Sequence, residues 1–178
     1  MENNMKYKNL LYTVAIIYTL FMINGCASNG ALHLLQPLEV NLTGYESMVV
    51  SISSNFPGNE KSQLESLIIS KLRAKQLFEK VYSGEAAPNT DKALQMKGVI
   101  IEIKKVDAGS RMMLGALAGQ ARVLVNVSLI DLTANKIIGE FNAEGKSSGG
   151  SIFAGTTSQA LDQAADQIVN LIQTEAHP

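Results

Sequence analysis

The chain has one cysteine, Cys26, and it stands directly after Ile23-Asn24-Gly25 at the end of an apolar run. A thiol placed this way suits acylation. The chain opens with Lys6 and Lys8, continues through an apolar stretch from Leu10 to Ile23, and carries the small residue Gly25 at the expected cut of an export signal. The competing reading is an uncleaved membrane helix, but the stretch falls short of the roughly 20 residues a span requires. With Cys26 acylated, no thiol remains for a disulfide, a metal site or a nucleophile.

The hydroxyl and imidazole groups offer less. Gly145-Lys146-Ser147-Ser148-Gly149 satisfies the G-x-S-x-G pattern of a serine-hydrolase elbow. That elbow needs a tight turn and a later acid and histidine, and the histidine downstream is His177, next to the C-terminal residue. The segment reads as a flexible polar connection. Gly145-Lys146-Ser147 also mimics the end of a phosphate loop, but Glu140 stands where the first glycine is needed. His33 and His177 lie near opposite chain ends and form no metal constellation. Asp107, Arg111, Arg122 and Asp131 are candidates for ion pairs at strand ends, with simple solvation as the favoured expectation. No complete acid, base and nucleophile set emerges, so the expectation is a non-enzyme without cofactor, metal or small-molecule substrate.

A second kind of site is apolar. The run Met112-Met113-Leu114-Gly115-Ala116-Leu117-Ala118-Gly119 joins two predicted strands and is too apolar for a solvated loop. Met112, Met113, Leu114 and Leu117 would each gain roughly 1.5 to 3 kcal/mol from burial. Gly115 and Gly119 would let another backbone approach closely. The expectation is a contact loop that meets another copy, a protein partner or lipid, with folding down on its own sheet as the alternative.

The Ile23-to-Cys26 motif looks like the lipobox of bacterial lipoproteins, with Asn24 where a small residue is usual. The resemblance implies removal of residues 1–25 and a lipid anchor on Cys26. Ala27, where an aspartate would signal retention, implies the outer membrane, facing the periplasm. Residues 26–33 then form a lipidated tether and 34–178 a single domain. About 150 residues remain after cleavage, enough for one domain with its own core. The mature net charge of about −2 implies neither nucleic acid nor an anionic surface as electrostatic partner.

Periodicity supplies the elements. Met48–Ser53 has the β-branched content of a strand, Phe56-Pro57-Gly58-Asn59 breaks it, and Asn59 is placed to cap a helix over 60–76 with Leu64, Leu67, Ile68 and Leu72 on one face. Leu77–Tyr82 reads as a short edge strand, and a brief helical turn is placed around Asp91–Leu94. Val99, Ile101 and Ile103 predict the apolar face of the next strand. Ala121–Leu132 is predicted as the longest strand, with Ala121, Val123, Val125, Val127 and Leu129 on the covered face and Arg122, Asn126 and Ser128 opposite. A turn at Thr133–Lys136 makes a hairpin with Ile137, Gly139, Phe141 and Ala143. Thr157 or Ser158 caps a last helix with Leu161, Ala164, Ala165, Ile168 and Ile172 inward and Asp162, Gln163, Asp166 and Gln167 toward water. The fold class is therefore α/β, a two-layer sandwich with one mixed, mainly antiparallel sheet and two helices on one face.

Gly109-Ser110-Arg111, Leu114-Gly115, Gly119, Val123 to Asp131, Ile138-Gly139-Glu140-Phe141 and Ser147-Ser148-Gly149-Gly150 together resemble the DUF4410 domain of bacterial lipoproteins. The layout is more distantly similar to a domain of the curli secretion lipoprotein CsgG and the N-terminal domain of TolB. The expectation is an interaction or assembly component of the cell envelope, anchored by lipid, with a protein partner or self-association; DUF4410 is a family of unknown function, and the CsgG and TolB likenesses are ones of fold. The alternative they imply is a membrane-perturbing or secretion-pore component.

Overall fold

The computed structural model describes residues 30–36, 41–84, 92–105, 119–147 and 156–176. These residues form β1 (Gly30–Gln36), a 3-10 turn (Leu42–Gly44), β2 (Ser47–Ser54), α1 (Glu60–Ala74), β3 (Lys80–Ser83), β4 (Ala93–Lys104), β5 (Arg122–Asp131), β6 (Lys136–Lys146) and α2 (Thr157–Ala176). The strands make one sheet in the order β1-β6-β5-β4-β2-β3. The β1–β6, β6–β5 and β5–β4 pairs are antiparallel, while β2 runs parallel to both β4 and β3. Both helices cover one face, so the expected two-layer α/β sandwich is what forms.

The strong stripes land where their periods place them. Val123, Val125, Val127 and Leu129 are fully buried beneath α2, whose Leu161, Ala164, Ala165, Ile168 and Ile172 meet them in one core. Leu64, Ile68 and Leu72 of α1 complete it, with Leu67 at the margin. Chain reversal after α1 follows from local geometry. Gln76 takes φ +53, its N–H donates to the Arg73 carbonyl, and the Leu77 N–H donates to the Leu72 carbonyl. This closing motif ends the helix at Ala74 and turns Leu77 and Phe78 into the core.

Three bulges alter the faces that simple alternation predicts. In β4, Ile100 pairs with Val125 and Glu102 with Leu124, leaving Ile101 as an extra residue. Leu94, Met96 and Ile100 therefore face the helices, Val99 and Ile101 are exposed, and Ile103 returns to the core side. The expected apolar face of this strand is thus corrected for Val99 and Ile101. In β6 the extra residue is Ile138, which is buried while Ile137 is exposed; Gly139, Phe141 and Ala143 keep their expected side. In β1 it is Leu35.

Other expectations also shift. β4, not β5, is the longest strand, and Ala93 and Leu94 extend it where a helical turn was expected. Strand β3 starts at Lys80. The first described strand begins at Gly30, so Gly30–His33, expected in the tether, belong to β1. Asn59 occupies the position before α1 without a side-chain cap. Thr156, rather than Thr157 or Ser158, caps α2: its Oγ1 accepts from the Gln159 N–H at 3.2 Å, and the Gln159 side chain accepts from the Thr156 N–H at 3.3 Å.

The two helices run parallel, as their contacts from Gln63–Ser158 to Lys75–Gln173 require. Lys71 sits between Asp162 (2.9 Å) and Asp166 (2.7 Å), so those aspartates bridge helices as well as meeting water. Burial pulls the Lys71 ammonium down, but the two carboxylates outweigh it and its pKa is raised.

Candidate functional site

Register places several features at one end of the sheet. Gly30 pairs with Gly145, Lys146 with Arg122, and Arg122 with Lys104. At this end β1 begins, β4 ends, β5 begins, β6 ends, and both helices start. The start of β1 therefore lies beside the residues from which both glycine-rich connections depart. Cys26 and the contact-loop residues Met112, Met113, Leu114, Gly115 and Leu117 lie outside the described residues. Gly119 is described: it is exposed with φ +87, a conformation that favours glycine, where the chain returns toward β5.

Ser147 ties the bases of the two connections together. Its N–H donates to the Ala121 carbonyl at 2.9 Å, and its Oγ accepts from the Ala121 N–H at 2.8 Å. Both residues are fully buried. This corrects the reading of Ser147 as part of a flexible polar connection: the hydroxyl satisfies a backbone donor that strand pairing would otherwise leave open. A hydroxyl so held has no access to a substrate. Next to it, α2 lies directly on β6, because a Cβ on Gly145 would come 1.9 Å from the Ala160 carbonyl oxygen.

The open face carries charge at the same end. Glu144, which is 5% exposed, pairs with the Arg122 Nε and lies 3.1 Å from the Lys146 Nζ. Arg122 also reaches Glu102 at 3.1 Å. Across the sheet end, Lys105 bridges to Glu60 in the first turn of α1 at 2.5 Å. Of the four strand-end charges, Arg122 is thus ion-paired, against the favoured expectation of solvation. Asp131 instead accepts from the Tyr45 hydroxyl at 2.9 Å and from the Thr133 and Ala134 N–H groups, forming the turn in which Asn135 takes φ +49. Asp107 and Arg111 lie outside the described residues, as does His177. His33 is exposed on β1.

These contacts predict a stability that falls in acid. Burial pushes the Glu144 carboxyl up, but Lys146 and Arg122 outweigh it and hold its pKa low. The Lys105 ammonium lowers Glu60, and the Ala134 N–H lowers Asp131, with desolvation opposing in each case. Burial, reinforced by Asp131, pushes the Tyr45 hydroxyl up to about 12. Carboxylates lowered in the fold bind protons more readily when unfolded, so their stabilisation is complete above about pH 5 and declines as pH falls through 4 toward 2. The urea midpoint should be lower at pH 3 than at pH 6. Glu144→Gln should narrow that difference, and equal midpoints at the two pH values would contradict the assignment.

Among the described residues there is no cluster of three His, Cys, Asp or Glu groups that would hold a metal ion, and no helix is long and apolar enough to cross a membrane. In this two-layer domain the start of β1 and the bases of the two glycine-rich connections share one end. The family model for the domain of unknown function DUF4410 matches residues 58–150, and the chain belongs to that family. The chain matches no curated protein. Its fold is similar to that of a PelC dodecamer from Paraburkholderia phytofirmans, at 20% identity over 80% of this chain and 96% of that one, with a TM-score of 0.54. A second PelC dodecamer structure from that organism gives 17% identity, coverage of 83% and 96%, and a TM-score of 0.52. A candidate lipoprotein from Caulobacter crescentus CB15 matches at 14% identity over 75% and 90%, with a TM-score of 0.45.

Sequence reasoning missed β1, the Ser147 clamp and the Thr156 cap. Two signals were present. Leu32 and Leu34 alternate with Ala31 and His33, and Thr156-Thr157-Ser158-Gln159 is a capping box.

Proposed function

We propose that this chain is an outer-membrane lipoprotein facing the periplasm, a non-enzymatic component that self-associates or captures an envelope partner with the Cys26 end of its sheet toward the bilayer. The observation that carries this reading is that β1 enters at Gly30, four residues after Cys26, at the end from which both glycine-rich connections depart. A lipid on Cys26 would hold that end at the membrane surface, where an apolar loop containing Met113 and Leu117 finds lipid or a neighbouring protein. Two further observations support it: Ser147 is engaged in a structural role, and the same fold forms a dodecamer in PelC.

The test uses the full-length protein extracted in mild detergent. Light scattering should report an oligomer, or crosslinking in cells a specific envelope partner. Met113→Asp with Leu117→Asp should weaken that association at least tenfold while the melting temperature holds. A monomer that captures nothing would overturn the reading. A lowered melting temperature with association intact would instead make the loop an internal cover.

A further inference from the structure

We infer that the end of the sheet where β1 begins rests on anionic lipid head groups, with Lys104, Arg122 and Lys146 meeting their phosphates. This names the surface met by the end of the domain that the reading proposed above turns toward the bilayer, and it rests on that reading.

Register puts three cations side by side. Lys146 of β6 stands directly opposite Arg122 of β5, and Arg122 directly opposite Lys104 of β4, so the outermost paired row of these strands is Lys, Arg and Lys on one face. Like charges directly opposite each other in an antiparallel ladder are destabilising. The other end of the same hairpin follows the usual preference, with Asp131 opposite Lys136. Stability alone therefore selects against the basic row, and positions that break a local rule are where function is to be sought.

The nearby carboxylates hold the row together without hiding it. Glu102 and Glu144 lie two residues inward, about 7 Å farther from the end of the sheet. Glu144 pairs with both Arg122 and Lys146, and Arg122 also reaches Glu102. The Glu144 side chain is 7% exposed, while those of Arg122 and Lys146 are 36% and 39% exposed. Lys104 is exposed and forms no ion pair among the described residues. Next to it, Lys105 overlies the buried Glu60, and Lys61 is exposed in the first turn of α1. Cations point outward and acids lie beneath them, so this end presents positive charge although the whole chain has a formal net charge of −1.

Reach decides what meets that charge. From a lipidated Cys26, four residues lead to Gly30 and span at most about 14 Å. Gly30 pairs with Gly145, so the row at Lys146 lies one residue nearer the end of the sheet than Gly30 does. A tether of this length holds the row within about two screening lengths of the head groups, each being roughly 10 Å at moderate salt. Near an anionic leaflet each basic side chain strengthens attachment about fivefold. A free anion receives no such enforced proximity, so the occupant is the membrane surface.

The experiment uses the full-length lipidated chain in phosphatidylcholine vesicles with or without phosphatidylglycerol. Ser62→Cys, exposed in the first turn of α1, carries a fluorophore, and a nitroxide on the lipid head group reads how closely this end approaches. Quenching should be about twofold stronger or more with phosphatidylglycerol, and sodium chloride should remove the difference. Lys104→Gln with Lys146→Gln should remove it too while the melting temperature holds or rises, because the row of like charges is thinned and Arg122 still holds Glu144. Equal quenching in the two vesicles, with the protein afloat on both, would overturn the inference and leave the lipid anchor standing. So would a double variant that keeps the difference. Loss of the difference with inorganic phosphate but not with sodium chloride at matched ionic strength would make the row a site for the free ion and overturn it as well. Wild-type protein that floats with neither vesicle would overturn the anchored reading along with it.

Discussion

Gly145→Ala should cost about 3 kcal/mol or more, at or beyond the usual range for overpacking, because the atoms in the way are backbone. The added Cβ would lie 1.9 Å from the Ala160 carbonyl oxygen and 2.5 Å from the Ala164 N. Neither atom can move unless α2 lifts from β6. That lift would strip cover from Phe141 and Ala143 and strain the Ser147 to Ala121 bonds two residues away. For a domain of this size the melting temperature should fall by roughly 6 to 12 °C. Gly98→Ala is the internal control. Its Cβ would meet the Ile52 Cδ1 at 2.5 Å, the far end of a side chain that can change rotamer. The first substitution should therefore be several times costlier than the second in thermal or urea melts. Equal effects would mean that α2 can slide on the sheet.

This close approach is also the boundary of what the sequence revealed. Periods of two and of three-to-four residues showed β5 and α2 because each lies against one continuous surface. Val123 to Leu129 and Leu161 to Ile172 have no interruption in phase. The same reasoning placed Val99 and Ile101 on the wrong face, since a bulge is decided by how β4 pairs with β5 and not by β4 itself. Gly145 and Ser147 sit in a glycine- and serine-rich run that resembles a solvated link in composition. Only the arrival of α2 and Ala121 makes one a close-packing residue and the other a buried clamp. Residues that act through a distant partner leave little local pattern. The proposed lipid site differs, because the Cys26 motif is defined by the residues immediately before it.

Cys26→Ser should abolish acylation completely and leave the fold intact, and the structure explains why these outcomes separate. The described fold starts at Gly30, where β1 pairs with β6 through its own backbone. Among the described residues the buried core starts at Leu42, with Leu32 of β1 packed against it, so the described core is built from residues after position 26. The proposed anchoring depends on it entirely. One acyl chain holds a protein at a membrane only marginally, at about 0.8 kcal/mol per buried methylene, while two or more hold it durably. With the thiol replaced by a hydroxyl, none can be attached by the lipoprotein route, and the protein should remain an unprocessed or mislocalised precursor. Metabolic labelling with an alkyne fatty acid reads the first effect, membrane fractionation the second, and a thermal melt the third. Undiminished label on the serine variant would sink the lipoprotein assignment. A melting temperature lowered by several degrees would instead show that the residues before Gly30 belong to the folded domain.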